Sequence, residues 1–176
     1  MDPIAKEEFS NIKLNVASLP AYEEVQLHSL APKFLWKLNI GTLISALFFL
    51  VVLTVAFTFF EPFRPYLWFA AAVWILLFGW SFFSNIQLMK RNGYALREKD
   101  VIYKRGFLFE KTTIVPFNRI QHVSVERSFL DKLLNLATLK VYTAGGSGSD
   151  VSVPGLFPDN ATSLKEEISA RISGHA

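Results

Sequence analysis

The sequence contains no cysteine. Disulfides, thiolate metal sites and a cysteine nucleophile are excluded, and the absence fits a reducing compartment. Histidine is scarce. His28, His122 and His175 stand far apart in the chain, which argues against a histidine metal site. Ionisable residues are missing from two long stretches, Asn39 to Phe60 and Tyr66 to Met89. Transporters and proton-coupled pumps ordinarily carry such residues inside the membrane, so that class is disfavoured. The net charge is only +3. It brings no clustered basic face of the kind nucleic acid requires, and no nucleic-acid partner is expected. The first 30 residues are polar and acidic rather than a basic segment followed by an apolar run. No secretory signal peptide is expected from them.

Apolar residues are abundant. Aromatics make up 15% of the 176 residues, phenylalanine occurs 17 times, and the mean hydropathy is +0.29. These values fit a membrane protein with an attached polar part. The run "NIGTLISALFFLVVLTVAFTFF", Asn39 to Phe60, has 22 uncharged residues. As a helix it would be about 33 Å long, enough to cross a hydrocarbon core of about 30 Å. A second uncharged run extends from Pro65 to Met89. The linker "EPFRP", with two prolines, allows only a tight helical hairpin, so both chain ends lie on one side. Lys33 and Lys37 precede the first run, and Lys90, Arg91, Arg97 and Lys99 follow the second. The linker carries only Glu61 and Arg64. The positive-inside rule then places both termini in the cytoplasm. Trp36, Trp68 and Trp80 suit interfacial anchors better than Trp74 does. Gly41 and Ser45 form a small-xxx-small pair that lets helices approach closely.

From Gly93 the pattern turns to β-structure. "GYALREKDVIYKRG" reads as two strands around Glu98–Asp100, and "FLFEKTTIVPF" as a third with Pro116 at an edge or bend. "IQHVSVERS" alternates through Ile120, Val123 and Val125, with a bulge expected at Gln121–His122. "SFLDKLLN" is a short amphipathic helix. Its Phe129, Leu130, Leu133 and Leu134 are expected on the sheet, with Asp131 and Lys132 in water. "LATLKVYTA" and "DVSVPG" are strands on either side of the turn "GGSGS". A last helix carries Leu164, Ile168 and Ile172 as an apolar stripe. Ser163 and Glu166 match a capping box, and Asp159 or Asn160 offers a start one turn earlier. The fold class expected is a membrane helical hairpin plus a small β-barrel or sandwich with a helix plugging one open end.

The passage "PFNRIQHVSVERSFLDKLLNLATLKVYTAGG" and the order of elements resemble the bacterial pleckstrin-homology (PH) domain proteins of the YdbS/YdbT membrane-flanked type. That family shows a strand ending I-x-x-(V/I)-x-(V/I)-x-x-S, a short helix L-x-x-L, then L-A-x-(V/L)-x-V-x-T-A-G. Here these are Ile120, Val123, Val125 and Ser128, then Leu130, Leu133 and Leu134, then Leu136 to Gly146. Asn135 stands where the family often has glycine, and asparagine tolerates the same left-handed backbone. The resemblance covers nearly the whole chain. It implies a cytoplasmic segment over 1–37, a two-helix hairpin over 38–90 with spans at about 39–60 and 66–89, and a PH-like domain over 93–173. It also implies a multi-pass protein of the bacterial inner membrane and says little about activity; the lack of intramembrane charge, of cysteine and of any nucleophile–base pair leads to the expectation of no enzymatic activity and no cofactor.

The candidate sites are few. "GGSGS" lacks the lysine of a phosphate-binding loop and precedes a strand, so it reads as a hairpin turn. His122 and Glu126 share one strand face, with no nucleophile or metal partner in sight. Lys104 and Arg105 lie between strands, near where lipid-binding PH domains carry basic residues. With Lys90, Arg91, Arg97 and Lys99 they make a candidate surface for an anionic leaflet, and Glu98, Asp100 and Glu110 interrupt it. The leading function expected is a membrane-anchored interaction module. Its partner would be another membrane protein, with a larger PH-like relative the first candidate. An exposed strand edge near Pro116 or Val151 would receive it. A sensor of anionic lipid or membrane state is the alternative, and a membrane enzyme or transporter comes third.

Overall fold

A computed structural model describes residues 25–144 and 151–173. Strand β1 (His28–Ser29) leads into helix α1 (Lys33–Phe59). A 3-10 turn at Glu61–Tyr66 connects it to helix α2 (Leu67–Arg91). The helices have 27 and 25 residues, about 40 and 37 Å, and both are long and apolar enough to cross a membrane. Their surfaces speak against a pair of soluble-core helices. α1 buries only Phe34 and Ala46, and α2 buries no residue. Phe48, Val51, Phe69 and Leu76 all point outward.

Most of the hydroxyls in these helices bond within their own helix, as a lipid environment favours, whereas the buried Ser84 hydroxyl of α2 has no partner among the described residues. Thr42, Ser45, Thr54, Thr58 and Ser81 each donate a hydroxyl to the carbonyl four residues back. Three side-chain hydrogen bonds cross between the helices among the described residues. Asn85 Nδ2 donates to Asn39 Oδ1 at 3.1 Å and to Thr42 Oγ1 at 3.0 Å, and Trp74 Nε1 donates to the Ala46 carbonyl at 3.3 Å. Trp36, Trp68 and Trp80 are exposed, unlike Trp74. Gly41 and Ser45 face away from α2. A Cβ on Gly41 would meet nothing within 4 Å, and Ser45 is exposed.

After α2 come β2 (Gly93–Leu96), β3 (Asp100–Arg105) and β4 (Lys111–Pro116). A turn at Phe117–Arg119 leads to β5 (Ile120–Glu126), helix α3 (Phe129–Leu134), β6 (Ala137–Thr143), β7 (Val151–Leu156) and helix α4 (Pro158–Ser173). All strand pairs are antiparallel. One sheet has the order β1-β2-β3-β4 and the other β5-β6-β7. Inward residues alternate as period-2 strands demand: Val101 and Tyr103 on β3, Leu139 and Val141 on β6, Val151 and Val153 on β7. Phe117, Leu136, Ala161 and Ile168 complete the core, with Leu164 and Ile172 packed at its margin. The β5–β6 register shifts between Ile120 and His122, where a bulge is expected. Asn135 is left-handed at φ 55° and ends α3.

The hairpin is an insertion between two neighbouring strands. β1 precedes it, β2 follows it, and they pair through His28 with Tyr94 and Ser29 with Gly93. Leu30, Ala31 and Phe34, on the way into α1, belong to the domain core. The Ala31 amide donates to the Gly155 carbonyl at 2.8 Å, and Phe34 lies against Gly155.

Two expectations are corrected. Asp131 is not in water: it is 2% exposed, while Phe129 and Leu133 are 79% and 69% exposed. A lysine from α1 supplies its counter-charge and rolls α3 over. The last helix begins at Pro158, before Ser163, Asn160 or Asp159. Proline at a first helical position loses no bond, because its missing N–H would lack an intrahelical partner anyway. The "GGSGS" turn, His175 and the first 24 residues lie outside the described residues.

Gly155 sits at φ +68°, and a Cβ there would lie 2.5 Å from Phe34 Cγ. Gly155→Ala combines left-handed strain with overpacking and should cost about 3 kcal/mol. A thermal-unfolding comparison in detergent checks this, with Gly41→Ala expected to match wild type.

Candidate functional site

The site is built where the hairpin meets the domain. Lys37 is in the second turn of α1, and Asp131 is 94 residues away in the first turn of α3. Lys37 Nζ donates to Asp131 Oδ1 at 2.7 Å. The other carboxylate oxygen accepts from the Ser128 amide at 3.0 Å and the Ser128 hydroxyl at 2.6 Å. Ser128 Oγ in turn accepts from the Asp131 amide at 3.3 Å. This is a capping box, with aspartate in the position glutamate often holds. Burial by itself would raise the Asp131 carboxyl, but the bonds from Lys37 and Ser128 outweigh it and hold the group below its ordinary value.

At the α2 end, Asn92 is buried and its Oδ1 accepts from the Gly106 amide at 2.8 Å. Gly106 has φ +114°, and a Cβ there would collide with the Phe109 carbonyl. Glu110 binds two cations, Lys104 Nζ and Arg91 Nη1, each at 3.0 Å. The hydrogen bond from Lys104, with Arg91 adding to it, holds the Glu110 carboxyl below its ordinary value. The Arg91 guanidinium lies 5.3 Å from the Phe107 ring centre, and Phe107 meets Phe83 of α2 edge-on at 5.9 Å.

The six basic candidates fall into two groups. Lys90, Arg91, Lys104 and Arg105 gather at the α2–β2–β3 junction, since Gly93 pairs with Lys104. Arg97 and Lys99 occupy the β2–β3 turn, roughly 13 Å of strand away. There Arg97 grips Asp100 at two points, 2.7 and 2.6 Å, and that hydrogen bond raises its pKa. Arg171 of α4 donates to the Arg97 and Glu98 carbonyls and pins the turn. Lys90, Lys99 and Arg105 are exposed and form no ion pair among the described residues.

His122 stacks on Tyr142 at 4.2 Å, and Glu126 pairs with Lys140 at 2.6 Å. The two are thus engaged by different partners on the β5–β6 face. Among the described residues no His, Asp and Glu group is placed to hold a metal ion. An open cleft of about 470 Å³ lies between β1–β2 and α4, lined by His28, Tyr94, Leu96, Asn160, Ser163, Leu164 and Glu167. Sequence reading missed it because His28 and Glu167 come from opposite ends of the chain. The pairing of His28 with Tyr94 brings them together, and a two-residue strand leaves no periodicity to detect.

Residues 38–172 match the family model of the bacterial PH domain. The chain belongs to the bacterial PH domain family. It is also 31% identical over 138 residues to the UPF0699 transmembrane protein YdbS of Bacillus subtilis (strain 168), a match covering 76% of this chain and 84% of that protein. No solved structure matches the chain significantly. The bacterial PH domain here accounts for the two packed sheets and closing helix, and the relative agrees with a membrane protein.

Breaking the Lys37–Asp131 pair strands a largely buried charge. Lys37→Ala and Asp131→Ala should each cost about 3 kcal/mol. The double variant should lose less than the sum of the two, which a double-mutant cycle of unfolding free energies measures. The Asp131 pKa is depressed from 3.8, so its contribution is present above that value and disappears as the pH falls through the folded-state pKa. The stability gap between wild type and Asp131→Asn should be constant near neutrality and shrink below about pH 4. Denaturant unfolding across that range tests it.

Proposed function

We propose that this protein crosses the bacterial cytoplasmic membrane twice, with both chain ends in the cytoplasm. There it presents its PH domain as an interaction module that assembles with another membrane protein. The supporting observation is the insertion itself. The domain closes over both ends of the apolar hairpin, so its position relative to the hairpin is set by strand pairing and not by a flexible tether. Lys33, Lys37, Lys90 and Arg91 cluster at that end, while Arg64 and Glu61 pair with each other at the hairpin turn. This asymmetry supports a cytoplasmic domain.

β4 is the outer strand of its sheet and carries the exposed Ile114. An outer strand offers unpaired main-chain groups to a partner strand. The β7 edge is less open, because Ala31 already occupies the Gly155 carbonyl. The expected partner is a second membrane protein, with a larger PH-like relative as the first candidate. Sensing of anionic lipid is the second reading, favoured by Lys90 and Arg105 beside the hairpin, which are exposed and form no ion pair among the described residues.

Tagged full-length protein purified from native membranes in mild detergent should carry a stoichiometric second membrane protein. Ile114→Lys places a charge on the β4 edge, and it should reduce that recovery about tenfold while leaving the unfolding midpoint within a degree or two. Recovery of anionic lipid with no protein partner would reject assembly in favour of lipid sensing.

A further inference from the structure

The loop joining β3 to β4, "GFLFE", is the most apolar turn in the described domain, and it faces outward. Leu108 is 66% exposed and Phe109 89% exposed. Leaving two such side chains in water forgoes the gain of burying them. The loop is held in place at three points: by Asn92 on Gly106, by Glu110 on Arg91 and Lys104, and by Phe107 on Phe83.

Its level along α2 is the telling feature. Phe83 precedes Arg91 by eight residues, about 12 Å along the helix axis. It lies beyond Asn85, which bonds Asn39 and Thr42 at the start of the uncharged part of α1. The Phe107 ring therefore bridges the Arg91 guanidinium and the uncharged part of α2 at Phe83, which sets the loop at the margin between the two. At its base Arg105 and Lys111 are direct cross-strand partners of like charge. Both are exposed, with no ion pair among the described residues. Such a pair is unfavourable unless anions lie nearby.

We propose that the β3–β4 loop is a membrane wedge: Leu108 and Phe109 enter the headgroup–acyl boundary of the leaflet beside α2, and Arg105 and Lys111 meet the anionic headgroups above them. This rests on α2 crossing the bilayer. The domain would then touch the membrane at a site distinct from its two spans, fixing its tilt as well as its tether.

The absence of cysteine makes single-cysteine labelling direct. Nitroxides at Phe109→Cys, at Lys99→Cys in the distant turn and at Leu76→Cys in α2 are placed on the full-length protein in nanodiscs containing anionic lipid. Oxygen and a water-soluble nickel chelate then report the surroundings of each label. The wedge predicts a ratio of oxygen to nickel accessibility about tenfold higher at position 109 than at 99, because polar reagents partition poorly into apolar surroundings. Equal ratios at 109 and 99 would overturn it. Shielding of position 109 from both reagents would overturn it too, in favour of a protein contact. A water-exposed label at 76 would reject the crossing and the wedge with it.

Discussion

The structure depends on one junction, where the β1–β2 pairing closes the domain across the two ends of the apolar hairpin. Main-chain hydrogen bonds make the closure, and side chains from the approach to α1 complete it. Leu30 and Phe34 lie in the same core as Val101, Leu139 and Ile168. Lys37 then adds a charged bond to Asp131 on α3. A PH domain appended to a membrane helix through a linker would be free to swing. Here the strand order leaves no such freedom, because the residues that enter and leave the hairpin are hydrogen-bonded neighbours.

That constraint organises the electrostatics. Cations gather where the hairpin meets the domain, but not all are available to an external anion. Glu110 engages Arg91 and Lys104, and Asp131 engages Lys37. Among the described residues, Lys33, Lys90, Arg105 and Lys111 stand exposed beside the hairpin with no ion pair, a smaller surface than the count of basic residues suggests. The paired ones position the β3–β4 loop and α3, and the free ones set the field that an adjacent leaflet would feel.

Much of this was legible in the sequence, because hydropathy and alternation are local. The hairpin, the alternating strands, the Gln121–His122 bulge and the apolar stripe of α4 all follow from short-range pattern, and the left-handed Asn135 from the family resemblance. The differences have separate causes. Local pattern does not give the face of α3, because the residue that draws Asp131 inward lies 94 positions away. The start of α4 differs because an S-x-x-E pattern inside a helix resembles one at its beginning, while Pro158 sets the true start. The basic residues read as one face because sequence proximity hides the length of β2, which carries Arg97 and Lys99 to the far turn. The two-residue β1 and the cleft beside it have no local signature at all.

The central claim is that residues upstream of the hairpin are part of the folded domain. Amide hydrogen exchange of the full-length protein in nanodiscs tests it directly at Ala31, whose N–H binds the Gly155 carbonyl. If the domain closes over the hairpin, Ala31 opens only with the core and exchanges as slowly as Leu139 of β6. Fast exchange at Ala31 beside a protected Leu139 would mean that the sheet stands without β1, and that the hairpin is a tether rather than an insertion.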